Sequence, residues 1–123
     1  MNYSKIIYWI STTLVLFFVG LGSIADLLQI DAIRESFNHI HFPFYMLPFF
    51  GVAKLAGSVS ILIKSQKLLR EWAYAGITFY FIGANYVHFA VGDSIDKIGV
   101  TLFILVLIIT SYIFSKKMST TNE

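Results

Sequence analysis

The 123-residue chain contains no cysteine. It therefore forms no disulfide, thiolate metal site or thiol redox centre of its own. Charge is scarce as well. Asp, Glu, Lys and Arg make up 13% of the residues, against roughly 25% in an average soluble domain. The net charge is +2 and the pI is 8.9, which gives no basic footprint for nucleic acid. G-x-S-x-G, H-E-x-x-H and phosphate-cradling glycine loops are all missing. What is abundant is apolar: 57% of residues are hydrophobic, 17% aromatic, and the mean hydropathy is +0.74. A soluble domain this small buries only about two-thirds of the surface its chain exposes, too little to hide this much apolar area. The composition excludes disorder, collagen, a disulfide scaffold and a soluble nucleic-acid binder, and names the lipid bilayer as the chain's partner.

A helix needs about 20 mostly apolar residues to cross the hydrocarbon core. Four stretches meet that length, at about 6–28, 43–63, 72–91 and 98–115, the second broken only by Lys54. Their uninterrupted apolar runs lack the alternation of barrel strands, so helices are expected. Ser23-Ile24-Ala25 has the small-x-small form of a signal-peptide cleavage site. The single Lys5 ahead of it and the long apolar run favour a retained span. Lys5, Lys64, Lys67, Arg70, Lys116 and Lys117 fall on one side of the resulting topology, and Arg34 and Lys97 on the other. The excess of basic residues marks the cytoplasmic side. The expectation is an all-α membrane protein: an antiparallel four-helix transmembrane bundle over residues 1–117, with both termini cytoplasmic and a disordered tail at 118–123. Residues 29–42 read as an outer loop. Gly92 followed by Asp93-Ser94 reads as the turn of a tight helical hairpin.

Polar residues at membrane depth are costly and by default face the bundle interior. Asp26, Lys54, Asn85 and His88 stand out. At about 1.5 Å per residue, Lys54 lies roughly 14 Å in from Tyr45, near mid-membrane. Asn85 and His88 lie roughly 9 and 5 Å below the outer end of their span and share a helix face. Asp26 sits near the outer surface. The four line one expected pocket in the outer half, with Tyr45, Tyr80 and Tyr86 as contributors of hydroxyls and His39 and His41 above it. Each has a plainer reading. Lys54 pairs with Asp26 or Asn85 to hold the helices, Asp26 is a hydrated interfacial residue, and His88 makes packing hydrogen bonds. The His39-x-His41 spacing is weak evidence for a metal, and no metal site or catalytic residue is assigned. His88 is the lone histidine within a span, so a bis-histidine haem site is not expected.

Several motifs together resemble a known family. Tyr8-Trp9-Ile10-Ser11 and Gly20-Leu21-Gly22-Ser23 open it. Pro43-Phe44-Tyr45-Met46-Leu47-Pro48 and Gly51-Val52-Ala53-Lys54-Leu55-Ala56-Gly57 continue it. Glu71-Trp72-Ala73-Tyr74-Ala75-Gly76, Gly83-Ala84 and His88 complete it. The pattern is similar to that of the DoxX-like family of small four-span bacterial membrane proteins and covers the chain from Lys5 to about Tyr112. The resemblance implies residence in the bacterial inner membrane and a mostly unassigned function. Its name comes from a membrane subunit associated with thiosulfate:quinone oxidoreductase, and relatives are linked with thiol-redox assemblies. No catalytic residue transfers with it. The expected role is therefore an accessory subunit that binds a quinone or another lipophile and works beside a membrane redox partner or as a homo-oligomer, rather than an enzyme on its own. Lys54, Asn85, His88, Asp26 and Tyr45 are its candidate ligand residues. The alternatives are a non-enzymatic scaffold or assembly factor and, less favoured, a small transporter.

Overall fold

A computed structural model describes residues 3–121, with side chains to 118. It is helical throughout, and no strand occurs among the described residues. The first long helix is built from α1 (Tyr3–Val15), a π-helical turn (Leu16–Gly20) and α2 (Leu21–Leu28). After it come α3 (Asp31–His39), α4 (Met46–Leu62), α5 (Lys67–Ala90) and α6 (Ile95–Thr121).

Two segments are long and apolar enough to cross a membrane, Tyr3–Leu28 and Ile95–Met118. The other two expected spans differ for physical reasons. Helix α4 has 17 residues and reaches only about 26 Å at 1.5 Å per residue, because residues 43–45, behind Pro43, lie outside the helix. Helix α5 has 24 residues, but Tyr74, Tyr80, Tyr86, Asn85 and His88 dilute its apolar character. At the other end of the chain, helix continues through Thr121 where disorder was expected from 118. Residues 122 and 123 lie outside the described residues.

Neighbouring helices meet in opposite senses. Thr12 of α1 meets Ser111 of α6, and Phe18 meets Phe103 further along. Likewise Gly57 and Phe50 of α4 face Ile77 and Tyr80 of α5, while Tyr74 and Asn85 of α5 face Ser111 and Thr101 of α6. The π turn in the first long helix has a clear consequence. One extra residue rotates the remainder of the helix by about 100°, so α1 packs on α6 whereas α2 packs on α4. The apolar core between these helices contains Val15, Val19, Ile61, Tyr74, Ile77, Phe81 and Ile108.

Segment 29–42, expected as a loop, contains helix α3. Its apolar residues recur at Ile30, Ile33, Phe37 and Ile40, the spacing of one helical face. Phe37 is buried and meets Phe42 and Phe50 at ring-centroid distances of 5.9 and 6.0 Å. This contact ties α3 to the N-terminal part of α4. Gly92 provides the expected turn after α5. Its φ of +76° permits a Schellman closure, in which Asp93 N–H bonds the His88 carbonyl at 2.9 Å and Gly92 N–H bonds that of Phe89 at 3.2 Å.

Candidate functional site

The site begins where α2 and α4 approach closely. Gly51 makes that approach possible, since a Cβ there would sit 2.7 Å from Leu27 Cγ and 3.0 Å from the Ser23 carbonyl. On the facing helix, a Cβ on Gly22 would lie 3.3 Å from Lys54 Nζ. With the backbones this near, Lys54 Nζ reaches Asp26 Oδ2 at 2.8 Å. Both residues are buried, 8% and 2% exposed. The contact is a charge pair off the hydrogen-bond direction, and Asp26 Oδ2 has no hydrogen-bond partner. Lys54 Nζ also lies 5.1 Å from the centroid of the Tyr80 ring, within cation–π range.

Lys54 and Tyr80 line a groove of about 370 Å³ between α4 and α5, with Phe49, Phe50, Gly57 and Trp72 along its walls. The groove is mostly apolar; besides Lys54, its polar side chains are Ser60, whose hydroxyl donates to the Ala56 carbonyl, Trp72 and Tyr80. An ammonium carries three N–H donors and a carboxylate only accepts. The pair is neutral as a unit, yet it retains donor capacity toward a ligand oxygen in the groove. This arrangement suits a neutral lipophile bearing a carbonyl or similar acceptor.

The remaining candidates are dispersed. Asn85 turns toward α6, accepting from the Thr101 hydroxyl at 2.7 Å and donating to the Phe81 carbonyl at 2.8 Å. Tyr45 is 78% exposed, at the entrance to α4. His88 joins a different cluster, with Nδ1 lying 2.5 Å from Asp93 Oδ2. Asp93 Oδ1 meets His39 Nε2 and lies 3.8 Å from Lys97 Nζ. The Asp93 side chain is only 4% exposed. The hydrogen bonds from His88, then from His39, hold its carboxyl down to about 2. His41 adopts a left-handed backbone conformation, φ +63°, outside this cluster. Among the described residues, no group of three or more His, Asp or Glu side chains is arranged to hold a metal ion. Thus Lys54 and Asp26, placed at different depths by counting along ideal helices, come together, while Asn85 and His88 belong elsewhere.

Sequence reasoning missed a second polar network. Ser111 is hydrogen-bonded to Thr12 at 2.6 Å and to Tyr74 at 2.7 Å, which ties α1, α5 and α6 together. Next to it, Arg70 donates to the Ser115 hydroxyl at 2.8 Å, the Tyr8 hydroxyl at 3.2 Å and the Ile61 carbonyl at 3.1 Å. Ile61 is in the last turn of α4, where carbonyls lack helical partners and a cation is favourable. The available signal was the presence of hydroxyls at Thr12 and Ser111 within otherwise apolar runs.

Comparison with curated proteins and with solved structures yields no match. Comparison with protein families matches residues 10–111 to the DoxX-like family, a span containing the Lys54–Asp26 pair, Arg70 and the Ser111 network. The chain belongs to the DoxX-like family, and its long apolar helices are those of a membrane protein.

Proposed function

We propose that the chain is a four-span antiparallel bundle of the bacterial inner membrane with cytoplasmic termini. In this reading it binds a quinone or a similar acceptor-bearing lipophile as an accessory to a membrane redox partner. The topology is supported by the opposite senses of neighbouring helices and by apolar side chains exposed on α4 and α5 as well as on the long spans, among them Phe49, Val52, Trp72, Phe79 and Phe89. Lys64 lies over the Trp9 ring at 4.7 Å, which places this basic residue at the same end as the N-terminus. Because the chain has no native cysteine, single cysteines at Asn38 and Ser65 report sidedness directly. A membrane-impermeant maleimide applied to intact cells labels Asn38→Cys and spares Ser65→Cys. The reverse pattern, or equal labelling, overturns the topology.

One observation carries the ligand reading: a buried ammonium, paired yet with donors to spare, lines a mostly apolar groove. Such intramembrane charges are functional candidates by default. The test uses full-length protein in mild detergent, extracted for mass spectrometry of bound quinones and titrated with a short-chain benzoquinone. The comparison variant is Asp26→Asn/Lys54→Met, which removes both charges together and so leaves neither one unpaired. Stoichiometric quinone in the wild type and its loss from a folded double variant support the reading. A wild type that neither carries nor binds quinone, or a double variant that binds equally well, overturns it. The first outcome favours a scaffold role, for which the pair's position between α2 and α4 is the supporting observation; the second moves the ligand away from the pair.

A further inference from the structure

A second cavity lies beneath α3. It has a volume of about 380 Å³ and is lined by Phe37, Phe42, Phe50, Phe79, Tyr80 and His88, among others. That volume falls within the range of small-molecule sites, which are mostly apolar with a few placed polar groups. Its polar side chains are Ser36, Tyr80 and His88, and the chemistry of His88 is set by its partner. Asp93 is an ionised carboxylate, and an ionised carboxylate only accepts hydrogen bonds. Its contact with His88 Nδ1 at 2.5 Å therefore places the hydrogen on Nδ1. In the neutral ring, Nε2 is then the acceptor. A carboxylate behind an imidazole fixes its tautomer and the orientation of its ring. The Schellman turn at Gly92 holds Asp93 in place from the backbone side, through the bond to the His88 carbonyl.

The geometry points to a second ligand site beneath α3, for a hydroxyl-bearing aromatic lipophile whose O–H donates to His88 Nε2. The aromatic walls favour a planar ring, because ring pairs attract in edge-on and offset arrangements beyond their buried area. The hydroxyl is specified by the acceptor, which gives an ether or a bare hydrocarbon nothing. This site does not depend on quinone binding at Lys54, although Phe50 and Tyr80 line both cavities. The two chemistries are opposite. Lys54 offers donors, and an alcohol and its methyl ether both accept from it. His88 accepts, and only the alcohol can donate.

The test measures equilibrium binding of 2-naphthol and 2-methoxynaphthalene to the full-length protein in mild detergent near neutral pH. The wild type is expected to prefer naphthol by about tenfold, the worth of one hydrogen bond at the upper end of the neutral range. In His88→Phe the preference disappears while the ether still binds, which shows that the cavity is intact. Asp93→Asn, which removes the carboxylate but keeps the turn, reduces the preference and serves if His88→Phe does not fold. Equal affinity for the two compounds in the wild type overturns the proposal, as does an undiminished preference in folded His88→Phe.

Discussion

The molecule buries two polar clusters of different kinds. Around Ser111 every hydroxyl is matched. Thr12, Tyr74 and Ser111 satisfy one another, and Arg70 bonds to two further hydroxyls and a helix-end carbonyl. Around Asp26 the matching is incomplete, since Oδ2 faces an ammonium but has no hydrogen bond. In the first cluster Thr12 and Ser111 are fully buried against the apolar core, whereas the second opens through Lys54 onto a groove. A closed network specifies helix packing, and an incomplete one at a cavity keeps capacity for a ligand.

Single substitutions test that contrast. The largest effect is expected for Lys54→Met alone, which leaves a buried carboxylate without its cation. Breaking a buried pair in this way costs about 3–5 kcal/mol, and the thermal midpoint in detergent should fall accordingly. Adding Asp26→Asn should restore most of the loss. If the double variant is as unstable as Lys54→Met, the penalty does not come from the orphaned charge.

Ser111→Ala is expected to have the next largest effect. It leaves two buried hydroxyls short of a partner, at about 1–3 kcal/mol, and should lower the thermal midpoint while leaving benzoquinone binding unchanged. Loss of binding in a folded Ser111→Ala protein would join the two clusters into one functional unit.

The smallest effect concerns the clamp between α3 and the hairpin. The Asp93 carboxyl lies below its ordinary 3.8, at about 2, because His88 and His39 hold the ionised form. A depressed carboxyl stabilises the fold above its ordinary value, and that contribution is lost as pH falls through its folded value. The clamp should therefore loosen between about pH 4 and pH 2. Pepsin is active over this range and can report it through cleavage of segment 31–45, normalised to Asp93→Asn. The wild-type to variant ratio should rise as pH falls. A flat ratio means that Asp93 does not hold α3.

Much of the architecture is readable from the residues alone. Residues 6–28 and 98–115 announce their helices by apolar length, and Gly92 announces the turn because a left-handed residue is needed there. Helix α3 is hidden by its charges, although Ile30, Ile33, Phe37 and Ile40 carry its periodicity. The candidate site is legible only as a collection of residues. Lys54 and Asp26 are visible as costly groups, but depth counting along ideal helices separates them. Asn85 and His88 share a face of α5, yet that face turns toward α6 and the Asp93 turn rather than toward Lys54. Arg70 and Ser111 do not stand out as site residues because nothing local distinguishes a paired hydroxyl from an idle one.

The sequence by itself determined the solvent and the helical class: a chain too apolar for water must satisfy its backbone internally, and helices do so within each segment. It also placed the chain in its family, through polar and glycine positions in addition to hydropathy. Only the tertiary structure decided which polar groups meet. A quarter-turn introduced at Leu16–Gly20 directs α2 onto α4, and the absence of a side chain at Gly51 permits the close approach. Partnership between buried charges depends on interhelical geometry of a few ångströms, and no periodicity within a single helix encodes it.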